Sequence, residues 1–88
     1  MKQRSPSHPG ELLQRLYLDE MGMSQTELAE KIGCRPAQVN LIVNGNRGIT
    51  PKFAIQLEQV LKVDAETWLN LQLKYDLWEA RRNQKKRA

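Results

Sequence analysis

Hydrophobic residues in the middle of the chain recur at the spacing of helical turns. Counted from Gln25 as the first position, they stand at positions four, eight, ten, fifteen and eighteen, which are Leu28, Ile32, Cys34, Val39 and Ile42. Ala29 is small enough to let a second helix approach, and Gly33 accepts a turn conformation that a side chain would penalise. The pattern therefore predicts two short helices that cross at a steep angle around a tight turn.

The outward face of the second of these helices is polar but uncharged, whereas an ordinary solvated helix carries Lys and Glu. Gln38, Asn40 and Asn44 have side chains suited to bidentate hydrogen bonds with base edges. A plain helical hairpin would explain the apolar spacing and the glycine, but it does not explain this face. We therefore predict a helix-turn-helix whose second helix enters the major groove of DNA.

The first half of the chain contains start and stop signals for three helices. Pro9 suits the first position of helix one, and Gly22 ends it. The apolar stripe of this helix consists of Leu12, Leu13, Leu16 and Tyr17. Ser24 is a favourable N-cap for helix two, and Glu27, three residues later, completes a capping box. Pro36 opens helix three.

The second half adds two helices and no segment with the pattern of a strand. Thr50 caps helix four, with Pro51 at its first position. Asp64 caps helix five, which is predicted to run from about residue 65 to about residue 80. The sequence therefore predicts an all-α fold, a compact five-helix domain.

Helix five carries two apolar stripes about 100° apart, whereas a helix of a small bundle normally buries one. One stripe consists of Trp68, Leu71, Tyr75 and Trp78, and the other of Leu69, Leu73, Leu77 and Ala80. The alternative is a monomer in which the aromatic residues simply wrap around the edge of the core. Because unburied apolar area on a short chain usually meets a partner, we predict a homodimer through helix five, with the second stripe as the candidate interface.

The formal net charge of +4 comes from the C-terminal end of the chain. There are 14 basic and 10 acidic residues in total. The last eight positions hold Arg81, Arg82, Lys85, Lys86 and Arg87 and no acid, so the rest of the chain has 9 basic residues against 10 acidic ones. The domain itself is thus not a general polyanion binder. Its DNA affinity requires a local patch, for which Arg35, Arg47 and Lys52 are the candidates.

These patterns divide the chain into three parts. We expect a flexible N-terminus over residues 1–7, a helix-turn-helix domain with a C-terminal dimerisation helix over residues 8–80, and a basic tail over residues 81–88.

The composition excludes several other classes of protein. With Cys34 and His8 as the single cysteine and histidine, neither a disulfide framework nor a zinc cluster within the chain can form, and we expect no metal and no cofactor. His8 and Glu11 are joined by no nucleophile or second carboxylate, so we expect no catalytic residue and no enzyme. Since neither a signal peptide nor an apolar run near 18 residues appears, we expect a cytoplasmic protein without membrane contact.

Several segments of the chain resemble the HigA-type antitoxins, which belong to the phage-repressor-like helix-turn-helix class. They are His8-Pro9-Gly10-Glu11, Ser24-Gln25-Thr26-Glu27-Leu28-Ala29, Val43-Asn44-Gly45-Asn46-Arg47-Gly48-Ile49-Thr50, and Trp68-Leu69-Asn70-Leu71-Gln72 followed by Tyr75-Asp76-Leu77. The helix-turn-helix part identifies only the broad class. The first and last segments, taken together, are more specific to the antitoxins.

This resemblance implies a dimeric DNA-binding protein that neutralises a small ribonuclease toxin, which cleaves messenger RNA, and represses its own operon at a double-stranded DNA operator. It implies phosphate contacts from Gln25 and Thr26 at the start of helix two. The residues implied to face the groove are Arg35, Ala37, Gln38, Asn40 and Leu41, and those of the loop that follows the DNA backbone are Asn44, Asn46 and Arg47. Arg35 departs from the family pattern, which often has Ser, Thr or Pro there.

Two other functions compete with an antitoxin. A stand-alone phage-type repressor without a toxin would share every DNA-facing residue. An adaptor that kept the fold and lost DNA binding is disfavoured by the intact polar face of helix three. For the toxin, we expect contact away from helix three, because Glu11, Asp19 and Glu20 on or near helix one would complement a basic ribonuclease.

Overall fold

The computed structural model describes residues 6–87, and over this range all regular structure is helical. The helices are α1 (residues 9–21), α2 (Gln25–Ile32), α3 (Pro36–Val43), α4 (Pro51–Leu61) and α5 (Ala65–Arg87). The prediction of an all-α five-helix domain is confirmed. Most of the expected flexible N-terminus, residues 1–5, and the last residue of the basic tail lie outside the described residues.

Helix α1 has a π-helical turn in its middle. It consists of the continuous stretches Pro9–Leu12, Leu13–Leu18, which is π-helical, and Asp19–Met21. At the end of the π-helical stretch the N–H of Asp19 donates to the carbonyl of Gln14, five residues earlier. Leu13 and Leu18, also five residues apart, are both fully buried, while Leu16 is 55% exposed. The predicted apolar stripe is thus wrong at Leu16, because the wider turn shifts the register of the helix.

The predicted capping signals are present at two helices. The Oγ of Ser24 accepts from the N–H of Glu27 at 3.0 Å, and the Oε1 of Glu27 accepts from the N–H of Ser24 at 3.1 Å. The Oγ1 of Thr50 accepts from the N–H of Phe53 at 3.2 Å. Gly33 ends α2 with a φ of +86°, in the left-handed region that favours glycine, which confirms the tight turn between α2 and α3.

The hydrophobic core receives side chains from every helix. Its buried members are Leu13, Leu18, Leu28, Ala29, Val39, Ile42, Ile49, Phe53, Ala54, Leu57, Leu61, Ala65 and Trp68. Trp68 is the largest of them and is 1% exposed, with the ring of Tyr17 at 5.4 Å. Trp68 thus packs α5 against α1.

Helix α5 is longer than predicted and continues to Arg87 instead of ending near Ala80. Arg, Lys and Gln are good helix formers and follow Ala80 without a glycine or a proline, so nothing local stops the helix. On its outer side Leu73 is 55% and Leu77 is 42% exposed, and Ala80 is exposed too. Leu69, in contrast, packs partly against the core. A dimer through this stripe remains a prediction.

Candidate nucleic-acid interface

The α2–α3 pair is held together by its turn and by its inner side chains. The N–H groups of Gly33 and Cys34 both donate to the carbonyl of Ala29, at 2.8 and 2.9 Å. Val39 and Ile42 turn the inner face of α3 into the core. This leaves the opposite face of α3 free to meet a ligand.

The residues predicted to contact DNA lie on the surface of this pair and of the loop after it. Those that are exposed are Thr26, Arg35, Ala37, Asn40, Asn44, Asn46 and Arg47, and those that are half-buried are Gln25, Gln38 and Leu41. Lys52, the third cation of the predicted patch, is also exposed. None of them is taken up by the core, so all are placed where a ligand can reach the helix pair.

Three of these residues belong to a hydrogen-bonded row that crosses three helices. The Nδ2 of Asn44 donates to the Oδ1 of Asn40, and the Nδ2 of Asn40 donates to the Oε1 of Gln25, both at 3.2 Å. The Nε2 of Gln25 donates to the Oε1 of Gln14 at 3.2 Å, and the Nε2 of Gln14 donates to the Oδ1 of Asp19 at 2.6 Å. We call these five residues the amide row.

The sequence reasoning missed the contribution of α1 to the amide row. In a regular α-helix, residues five apart point in directions about 140° apart, so Gln14 and Asp19 would not meet. They meet because the π-helical stretch brings residues five apart into line. No signal in the hydrophobic spacing marks that stretch.

The loop between α3 and α4 is tied to α5. The Oε1 of Gln72 accepts from the backbone N–H of Ile49 at 2.8 Å, and its Nε2 donates to the Oδ1 of Asp76 at 2.9 Å. A Cβ added to Gly48 would lie 3.1 Å from the Nε2 of Gln72, so the loop and the glutamine are in close contact. Gln72, only 9% exposed, therefore fixes the start of the segment that leads into α4.

An open groove of about 750 Å³ lies between α3, this loop and α5. Its lining includes Gln38 of α3, Asn46 and Arg47 of the loop, and Tyr75 and Asp76 of α5. Gln38, Asn46 and Arg47 are thereby brought together. Thr26, Arg35, Ala37 and Leu41 lie outside both the groove lining and the amide row.

His8 has a structural role at the entrance of α1. Its Nδ1 accepts from the N–H of Gly10 at 2.9 Å, and its ring meets Tyr75 edge-on at 4.9 Å. Burial lowers the pKa of His8, an effect that the negative charges of Asp76 and Glu11 oppose. The neutral imidazole is the form that can cap the helix, because a protonated Nδ1 has no lone pair to offer.

Cys34 lies at the edge of the core and is half-buried, and burial raises the pKa of its thiol. Within residues 6–87, no group of three or more His, Cys, Asp or Glu side chains is placed to hold a metal ion.

None of the helices in the described part of the chain is both long and apolar enough to pass through a membrane.

Comparison with known proteins identifies the family. A family model described as helix-turn-helix matches residues 14–68. The chain is 44% identical over 70 residues to virulence-associated protein I of Dichelobacter nodosus, a match that covers 80% of this chain and 65% of that protein. It is 35% identical over 85 residues to antitoxin HigA-1 of Vibrio cholerae, covering 97% of this chain and 80% of HigA-1. The chain belongs to the HigA-type antitoxin family.

The fold agrees with a solved HigA structure. The antitoxin HigA of Pseudomonas aeruginosa, in a structure with the higBA promoter, superposes with a TM-score of 0.89 at 36% identity. The match covers 93% of this chain and 89% of that one. The likeness therefore extends over the helix-turn-helix pair and nearly all the rest of the HigA fold.

The two segments that resemble the HigA family most specifically meet each other in space. His8 of the first segment contacts Tyr75, which begins the Tyr75-Asp76-Leu77 part of the last segment. Gly10 packs directly on the backbone of α3, where an added Cβ would overlap the carbonyl oxygen of Ile42. The segment from His8 to Glu11 of this HigA-type chain thus joins α3 to α5. These contacts explain physically why both segments carry the residues they do.

Proposed function

We propose that this chain is an antitoxin that also represses its own operon. It binds a double-stranded operator upstream of its gene through α2 and α3, and it neutralises a small messenger-RNA-cleaving toxin encoded beside it. The observation that carries the proposal is the likeness, over 93% of the chain, to an antitoxin in a structure with its promoter. The uncharged polar face of α3 supports the DNA-binding part of this function independently of that likeness.

On the DNA side, we assign direct base contact to Gln38, Asn40 and Asn44, whose amides can donate and accept at once. Gln25 and Thr26 lie at the N-terminal end of α2. We assign them to DNA phosphates, because the unpaired N–H groups at the start of a helix bind anions. Arg35, Ala37 and Leu41 complete the groove-facing side of α3, and Asn46 and Arg47 follow the DNA backbone from the loop.

A homodimer would present two such surfaces to a palindromic operator. The exposed pair Leu73 and Leu77 supports α5 as the interface, because large apolar side chains this exposed usually meet a partner. Two copies related by a two-fold axis would read half-sites about one helical turn, roughly 34 Å, apart.

For the toxin, the acidic side chains of α1 support a surface separate from α3. Glu11, Asp19 and Glu20 are all exposed. A ribonuclease must carry positive charge to hold RNA, so this surface would complement it and speed association. The same separation would let the antitoxin hold operator and toxin together.

Co-expression of the chain with the product of its neighbouring gene tests the proposal. We expect the two to co-purify, and we expect the complex to retain the promoter fragment of the operon. A chain that lacks residues 81–88 should still hold the toxin, with a weaker salt dependence of DNA binding. Operator binding without any bound neighbour would instead indicate the alternative, a stand-alone repressor. A truncated chain that loses the toxin would contradict the separate toxin surface.

A further inference from the structure

The amide row has a direction, and that direction is set outside the helix-turn-helix pair. The carboxylate of Asp19 has no hydrogen to donate, so Gln14 has to turn its Nε2 toward it, as the 2.6 Å contact shows. The Oε1 of Gln14 is then the atom that faces Gln25, whose Nε2 donates to it at 3.2 Å. Each amide donates toward the Asp19 end of the row and offers its oxygen as the acceptor for the following amide.

The same order continues to the end of α3. The Oε1 of Gln25 accepts from Asn40, and the Oδ1 of Asn40 accepts from Asn44. If any one amide in the row were reversed, two oxygens or two N–H groups would face each other. A single acceptor at one end thus fixes the orientation of four amide groups.

The π-helical turn of α1 is what allows Asp19 to occupy that end. Its i+5 geometry brings Asp19 beneath Gln14, and Gln14 is held against α2 by the packing of α1 on the core through Leu13 and Leu18. The carboxylate therefore acts on α3 from a helix that does not itself belong to the helix-turn-helix.

We propose that Asp19 and Gln14 are positioning residues for operator recognition, which act through Gln25 to set the direction in which the amides of Asn40 and Asn44 are presented to DNA. This inference rests on the proposed operator binding. An amide reads adenine by donating to N7 while it accepts from N6, so a reversed amide presents a donor to a donor and an acceptor to an acceptor. Asp19 and Gln14 thereby influence specificity through the hydrogen bonds of the amide row.

The test compares Asp19→Asn with Glu20→Gln. Both variants remove one negative charge from neighbouring, exposed positions of α1, so they change the long-range attraction to DNA equally. The measured quantity is the ratio of affinities for the operator and for a scrambled duplex of the same length. We expect Asp19→Asn to lower this ratio about fivefold or more. An asparagine side chain can either accept from Gln14 or donate to it, so the orientation of the amides in the row is no longer fixed. Glu20→Gln should leave the ratio within about twofold of the parent.

A double variant, Gln14→Glu with Asp19→Asn, moves the carboxylate one step along the row and leaves the net charge unchanged. The new asparagine at position 19 can donate to the new carboxylate at position 14, which accepts from the Nε2 of Gln25. The direction of the remaining amides is thereby restored. We expect this double variant to recover the operator preference that Asp19→Asn loses, which a merely structural role of Asp19 would not explain.

A measurement without DNA makes the inference independent of operator affinity. The side-chain amide NMR signals of Gln25, Asn40 and Asn44 should move in Asp19→Asn and stay in place in Glu20→Gln. Three results would each overturn the proposal. They are equal affinity ratios for the two single variants, amide signals that do not move in Asp19→Asn, and a double variant that does not recover the operator preference. If the parent chain itself shows no operator preference while the amide signals behave as expected, the proposed function fails and the fixed direction of the row stands.

Discussion

Gln72 of α5 accepts a hydrogen bond at 2.8 Å from the backbone N–H of Ile49, in the segment that joins α3 to α4. Gln72 is 9% and Ile49 4% exposed, so water cannot readily replace either partner. The amide of Gln72 is itself oriented by Asp76. The long C-terminal helix thus holds the loop that carries Asn46 and Arg47.

Replacing Gln72 with leucine should destabilise the protein. Gln72→Leu removes the acceptor and leaves the N–H of Ile49 buried without a partner, which costs about 1–3 kcal/mol. Urea denaturation measures the change in the free energy of unfolding. Asn70→Leu, at an exposed position of the same helix, is the matched control and should change it little. Equal stability of the two variants would show that the bond does not hold the loop.

Gly10→Ala should destabilise the protein more than the addition of a single methyl group normally does. Alanine is normally the better helix former, but a Cβ at this position would overlap the backbone carbonyl oxygen of Ile42, which cannot rotate away. We expect a loss of at least about 2 kcal/mol in the free energy of unfolding, from forced separation of α1 and α3. Glu20→Ala on the exposed side of α1 serves as the control. A Gly10→Ala protein as stable as that control would contradict the close packing.

Much of the fold could be predicted because its signals are local. Ser24 and Glu27 lie three residues apart and cap α2 with groups that are neighbours in sequence. Gly33 marks the turn because its left-handed φ is required there. Such features need no knowledge of the rest of the molecule.

The remaining features depend on register and on contacts between distant segments. The sequence places Leu16 in the core in place of Leu18 because the usual spacing assumes 3.6 residues per turn, and one π-helical turn breaks that assumption. The sequence alone assigns no role to Gln72, since its partner Ile49 lies 23 residues away. A polar residue inside an otherwise apolar segment and a glycine inside a helix, Gly10, were the available signals for these contacts.

The stability of the protein should fall as the solution is acidified through the histidine range. The pKa of His8 is lowered in the folded protein by burial, so between its folded and its ordinary value the unfolded chain binds more protons. The stability that depends on His8 is therefore fully present above about pH 6.5, the ordinary pKa of histidine. It is lost as the pH falls from there toward the lower pKa that His8 has in the folded protein.

His8→Asn tests this pH dependence, since His8 is the single histidine and asparagine keeps a capping oxygen without titrating. Urea denaturation at about pH 7.5 and about pH 5.5 should show a loss in the parent protein and a smaller loss in the variant. The same loss in both proteins would assign the pH dependence to other groups.

Charged residues at the exposed apolar positions of α5 should separate the proposed dimer. Leu73→Lys together with Leu77→Glu should give a monomer that stays helical and binds operator more weakly, because two linked half-sites no longer act together. Ile55→Glu is the matched control, since Ile55 is 50% exposed and belongs to α4 rather than to the proposed interface helix. Analytical ultracentrifugation decides the outcome. A double variant that sediments as the parent dimer would exclude this interface.

The central claim is that the polar face of α3 reads an operator at the protein's own gene. Footprinting on that promoter, with the parent chain and Gln38→Ala, tests it most directly. We predict that the parent protects a palindrome with half-sites roughly 34 Å apart, and that Gln38→Ala loses about 1–3 kcal/mol of operator binding with unchanged non-specific binding. A promoter without a protected palindrome, or a Gln38→Ala protein that protects it as the parent does, would contradict the account.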